Sequence, residues 1–162
     1  MELQNLNDLL LDHLKDLYDA EHQITKALPK MAKAASSPQL KTAFEKHLSE
    51  TENQIRRLEQ VFETMGKKAT RKTCKGMKGL IEEGEEILKE DAADDVRDAG
   101  LIAAAQKVEH YEIASYGTVR AYAEMLGMNE AADLLQKTLD EEGNTDKKLT
   151  QLAESRVNVK AQ

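Results

Sequence analysis

Cysteine is the first scarcity of this sequence. The 162 residues hold a single one, Cys74, which excludes an intramolecular disulfide and any cysteine-based zinc cluster and points to a reducing, cytoplasmic setting. Tryptophan is absent, and phenylalanine and proline occur twice each. Without the aromatic residues that favour strands or the prolines that break helices, the abundance of Ala, Leu, Glu and Lys reads as a helical protein. Positive charge is also short: 23 Lys and Arg face 30 Asp and Glu, a net charge of -7. Nucleic acid and anionic membrane would be repelled by such a surface, whereas cations would be attracted. A long apolar run is missing too. The opening stretch MELQNLNDLLLDHLKDLYDAEHQ carries acids within its apolar pattern and lacks a basic leader, so it reads as neither signal peptide nor membrane span.

What is present is helical periodicity over a length that suits one domain, 1–162. Asn5 or Asn7 can cap a first helix, in which Leu6, Leu9, Leu10, His13, Leu17, Ala20, Glu21, Ile24, Leu28 and Met31 recur at helical spacing to about Ala35, with Pro29 bending it. Ser36-Ser37-Pro38 breaks the pattern. The second helix presents Leu40, Phe44, Leu48, Thr51, Ile55, Leu58 and Phe62 inward and ends near Gly66. A crossover over about 67–90, basic in its first half, carries a short amphipathic helix from about Thr73 to Lys89. The third long helix begins near Asp91 or Asp95 and closes at Gly127. Asn129 is expected to cap a fourth, whose inner side holds Leu134, Leu135, Thr138, Glu142, Asp146, Leu149 and Leu152 to about Ser155; the tail RVNVKAQ shows no strong pattern. Two tight hairpins joined by one long connection predict an all-α, ferritin-like four-helix bundle over about 5–155.

The stretch AAAQKVEHYEIASYGTVRAY carries the functional signal. At ~100° per residue, Leu101, Ala105, Val108, Glu109, Glu112, Tyr116, Val119 and Ala123 share one stripe, while Lys107 and His110 point away. A carboxylate aimed at a core must be paired or protonated, and no Lys or Arg lies on that stripe. Glu21 and Glu142, with Asp146 one turn on, also face inward, and the second helix offers Glu50 at the edge of its inner face with Gln54 one turn later. Carboxylates bridging between helices can hold two hard cations, and oxygen-rich ligation suits iron or manganese. Helical phase turns His22 and His110 outward, places His13 on the apolar face, and leaves His47 beside Glu50 as a lesser candidate for ligand or supporting partner. Tyr116 is positioned to donate to a carboxylate or simply to pack. The halves echo each other: DAEHQITKA aligns with KVEHYEIAS, matching Glu21 with Glu109 and His22 with His110.

The blocks DLYDAEHQITKALPKMAKA, HLSETENQIRRLEQVFE, GLIEEGEEILKE, DAGLIAAAQKVEHYEIASYGTVRAYAEMLG and AADLLQKTLDEEGNTDKKLTQLA resemble the YciE/YciF family of bacterial stress proteins. The resemblance implies a cytoplasmic ferritin-like bundle, a homodimer and a link to stress response. More distantly, Glu109-x-x-Glu112 is similar to the third-helix motif of rubrerythrins, and Glu21, Glu50 and Glu142 fall where di-iron proteins of this kind place carboxylates. The usual Glu-x-x-His of helices two and four is missing. Asn53 and Thr145 stand at the histidine positions, with Gln54 and Asp146 one residue further. The expected function is a stress-associated protein with a dinuclear iron or manganese site on Glu21, Glu50, Gln54, Glu109, Glu112, Glu142 and Asp146, and weak ferroxidase or peroxide-related activity. The alternative is a metal-free structural protein acting through protein–protein contact.

Overall fold

The computed structural model describes residues 3–162, and within them the chain is helical with no strand. The long helices are α1 (Leu6–Ala34), α2 (Pro38–Thr64), α4 (Asp94–Met125) and α5 (Asn129–Leu152), with the shorter α3 (Lys75–Lys89) in the crossover. A π turn at Ala153–Val157 and a last turn α6 (Asn158–Lys160) follow α5. None of the described helices is long and apolar enough to cross a membrane.

Local chemistry sets the boundaries. The Asn5 side chain accepts from Asp8 N and the Ser37 side chain from Leu40 N, closing the first turns of α1 and α2, and Pro38 opens α2 where its missing N–H is no loss. α1 runs on through Pro29. Gly66 (φ 62°) and Gly127 (φ 70°) take the left-handed conformation after α2 and α4. This lets Lys67 N reach Phe62 O and Met128 N reach Ala123 O, each at 2.9 Å. Asn129, expected as a cap, is instead the first residue of α5: Met128 precedes it without a side-chain cap, and the tight Gly127 turn leaves no residue free for one. The tail also departs from expectation. Its wider π turn brings Ala153 and Val157 back into line with Leu149, so both are buried where a regular α-helix would have rotated Val157 away.

Up and down alternation follows from the contacts. Asp98 near the start of α4 accepts from Ser36 N (2.8 Å) and Ser37 N (2.7 Å) at the α1–α2 turn. Tyr122, near the other end of α4, stacks edge-on to His13 of α1. α1 and α4 are thus antiparallel, as are the hairpins α1–α2 and α4–α5. The crossover returns along α1, fastened by Asp19, which accepts from Cys74 N (2.8 Å) and Arg71 Nε (2.8 Å). α3 then lies across α1 and α4, with Met77 buried beneath it and Ile87 against Gly100.

All four long helices share one inward rhythm, steps of four and three residues alternating: Leu10-Leu14-Leu17-Glu21-Ile24-Leu28, Leu40-Phe44-His47-Thr51-Gln54-Leu58-Val61, Asp98-Ile102-Ala105-Glu109-Glu112-Tyr116-Val119-Ala123, and Ala131-Leu135-Thr138-Glu142. That repeat suits helices packed at shallow angles. The apolar core is in two parts. One surrounds Ile24, Phe44 and Leu101 at the α1–α2 turn end, the other Leu14, Phe62 and Val119 at the α4–α5 turn end. Between them lies a polar layer.

Candidate metal centre

The polar layer is where each helix breaks its apolar rhythm. Glu21 from α1, His47, Thr51 and Gln54 from α2, Glu109 and Glu112 from α4, and Thr138 and Glu142 from α5 are all buried, Glu21, Glu112 and Glu142 to 0% exposure. One donor atom from each of His47, Glu109, Glu112 and Glu142 lies within 4.8 Å of those of the other three. Tyr116 donates its hydroxyl to Glu21 Oε1 at 2.5 Å. His47 Nε2 sits 2.9 Å from Glu109 Oε1 but off the line of a hydrogen bond, so both ring nitrogens lack a partner.

Six of the eight carboxylate oxygens of Glu21, Glu109, Glu112 and Glu142 have no hydrogen-bond partner. No Lys or Arg is among the buried residues of the layer, and the Arg57 guanidinium is committed to Glu141 (2.9 and 3.0 Å) and to Thr138 Oγ1 (2.6 Å). Burial therefore controls their titration. Glu21 is pushed up to about 8 by loss of water and by the Glu142 charge, opposed by the Tyr116 bond. Burial pushes Glu109 up to about 7, with the charges of Glu21, Asp146 and Glu50 adding to it and the Glu142 contact opposing. Glu112 and Glu142 are raised well above the ordinary carboxylate range, again chiefly by burial. Without a cation the layer holds protons at neutral pH. With one, those protons are displaced, since ligands bind deprotonated.

The structure brings Glu21, Glu109, Glu112 and Glu142 together with Gln54 beside them. It leaves the other two anticipated residues at the rim. Glu50 is partly exposed, 3.3 Å from Lys46 Nζ, and accepts weakly from Thr145 (3.4 Å). Asp146 accepts from Gln106 Nε2 (3.2 Å) and lies 3.3 Å from the exposed His110. Gln54 donates to Glu141 Oε2 (3.0 Å), leaving its Oε1 unpartnered in the layer. His22 packs edge-on to Tyr18 outside the layer.

His47 is the residue that sequence reasoning undervalued. Following the apolar side chains along α2 draws the inner stripe toward Leu48 and Ile55. Both are only partly buried, whereas His47 and Gln54 occupy its centre. The alternation of four and three from Leu40 and Phe44 was the signal that would have found it. An imidazole thus reaches the layer from α2 six residues before Asn53, which stands at the histidine position of the usual second-helix motif.

Comparison with known proteins sets this layer in context. The profile of a domain of unknown function, DUF892, matches residues 5–162. The chain belongs to the DUF892 family. This family member is 51% identical over 163 residues to Protein YciF of Escherichia coli strain K12, spanning 100% of this chain and 98% of that protein. Its fold superposes on the crystal structure of the E. coli stress protein YciF with a TM-score of 0.92, covering 96% of this chain and 98% of that one. YcfI from Rhodopseudomonas palustris gives 0.90 at 46% identity over 92% of this chain and 95% of its own. A Xanthomonas campestris protein at 24% identity and TM-score 0.77, covering 96% of this chain and 95% of that one, shares the fold. The resemblance to the YciE/YciF family is thus confirmed, and with it the helical-bundle class.

Proposed function

We propose that this DUF892 bundle binds two hard divalent cations, iron or manganese, in its polar layer. The observation that carries the reading is the six unpartnered carboxylate oxygens, buried in a core with no Lys or Arg to neutralise them. A protein gains nothing for stability by burying four such groups, each costing several kcal/mol when ionised. Divalent cations convert the same arrangement into a favourable one. His47, Glu109, Glu112 and Glu142 would hold one ion, and Glu21 with the free oxygens of Glu112 and Glu142 the other. The donor set of carboxylate oxygens and one imidazole fits iron or manganese better than copper. Such ions would supply one-electron chemistry toward small oxidants, in keeping with the stress-protein description of the E. coli homologue. The chain itself contributes orientation and a dry setting. Tyr116 fixes the Glu21 carboxylate, and the Gln54–Glu141–Arg57 chain closes the α2–α5 side.

The test is metal analysis of protein purified without chelator or nickel resin, followed by chelation and thermal scans with Fe(II) or Mn(II) added back. Two ions per chain and a raised midpoint, both lost in Glu112→Gln, are expected. An unchanged midpoint at saturating metal would leave the metal-free structural reading in its place.

A further inference from the structure

An apolar pocket with about 40 Å³ of inner space, partly open to solvent, lies between α1, α3 and α4, and His47 and Glu109 are among its lining residues. Its walls are Ile24 and Ala27 of α1, Ile81 and Gly84 of α3, and Ala104 of α4. At its outer end the exposed ion pair Lys30–Glu85 (2.9 Å) joins α1 to α3. The geometry points to a binding site for dioxygen, opening onto the His47–Glu109 edge of the polar layer. This role rests on the metal reading for its purpose, but the site stands on the cavity alone.

Three observations select that occupant. Size comes first: a cavity of ~150 Å³ is what holds a benzene ring, and the inner space of about 40 Å³ suits a diatomic molecule. Polarity comes second. A buried water needs two or more polar partners, and between the Lys30–Glu85 pair and the His47–Glu109 end the walls are hydrocarbon, so the space favours a neutral apolar guest over water. Charge comes third. A divalent cation here would meet apolar walls that cannot replace its hydration. The opposite side, by contrast, carries the rim carboxylates Glu50 and Asp146. The crossover helix thus supplies one wall of a site for a neutral oxidant. Gly84 fits this role, because a Cβ there would touch Ala104 Cβ at 3.5 Å and narrow the space without strain.

The experiment reads the cavity before the metal. On chelated full-length protein, xenon binding followed by ¹²⁹Xe shift, and relaxation of methyl signals under dioxygen pressure, are expected to single out Ile24, Ile81 and Ala104 over core methyls such as Leu14. Ala104→Leu should abolish both effects, and Gly84→Ala, which adds one methyl at contact distance and keeps the fold safe, should weaken xenon binding several-fold. On iron-loaded protein the same variants should keep Fe(II) affinity and slow the rise of the Fe(III) absorbance on mixing with oxygen about tenfold. Xenon binding without any metal binding would keep the gas site and defeat the metal proposal. Absence of xenon and oxygen effects in the parent protein, or filled variants that oxidise Fe(II) at the parent rate, would overturn the dioxygen site while leaving the metal proposal intact.

Discussion

On the proposed metal reading, protons and metal compete for the same four carboxylates, and the competition should be visible as a stability that falls with rising pH when metal is withheld. Glu109 titrates at about 7 in the fold against an ordinary 4.5. Its folded form therefore binds more protons than its unfolded form between those values. The sign follows: stability is greatest below the ordinary carboxylate pKa and is lost as pH rises through the folded one. For Glu109 alone the loss is ~3 kcal/mol, from 1.36 kcal/mol per pH unit. Glu21, at about 8, extends the decline into mildly alkaline solution. In a domain of this size each kcal/mol moves the midpoint by ~2–4 °C, so Glu109 alone should lower the thermal unfolding midpoint in chelator by ~6–12 °C between about pH 5 and pH 8, and Glu21, which stays protonated in the fold over the same interval, should add to the fall. The carboxylates held below their ordinary range, Asp19, Glu85 and Glu141, lose their contribution only in more acid solution, outside that window. Excess Mn(II) should reverse the trend. Deprotonated ligands bind better as pH rises, and metal at a hundred times its Kd adds ~2.7 kcal/mol, so the two curves should diverge with pH. A midpoint in chelator that stays level or climbs from pH 5 to pH 8 would refute the account of the layer as protonated acid.

Three further outcomes test particular residues. By calorimetric titration, His47→Ala should weaken Mn(II) binding by roughly tenfold or more, as loss of a donor does, while Glu50→Gln and the double change His22→Ala with His110→Ala should leave it within about threefold, since none of those three lies in the layer. Asp98→Ala, which strips the partners from Ser36 N and Ser37 N, should cost ~2–3 kcal/mol in urea unfolding, a loss unaffected by metal. Gly76→Ala should destabilise by ~1–3 kcal/mol, because its Cβ would lie 2.6 Å from the Tyr111 ring. Gly79→Ala, in the same helix with open space around it, should stabilise by ~0.5–1 kcal/mol. Equal effects at the two glycines would contradict the packing of α3.

The fold was legible because its signals are local. Asn5, Ser37, Pro38, Gly66 and Gly127 punctuate the helices, and their roles as caps and turns need no tertiary partner. α4 was legible for another reason: its acids sit in a run of small and apolar residues, so phase alone buries Glu109 and Glu112. α2 misled because its central inner positions are polar, and a search for hydrophobic side chains shifts the stripe by one residue, promoting Glu50 over His47. Asp146 was placed by phase alone. Its phase on α5 is near that of Glu142, yet Gln106 and His110 draw it to the rim of the layer, which sequence periodicity cannot see. The tail was illegible because a π turn breaks the very period by which helices are recognised.

The split core has one more consequence, for helix alignment. Leucine and alanine layers repeating every seven residues are nearly interchangeable, so an all-apolar bundle could slide one helix past another by two turns and still bury its stripe. Here such a slip would strand Glu109 and Glu112 among Leu14, Phe62 and Leu135 at one end of the molecule, and Glu21 and Glu142 would meet hydrocarbon in turn. Only one alignment lets all four acids share a layer. The buried acids that break the apolar rhythm in the middle of this bundle are the same ones that fix the alignment of the helices that carry them.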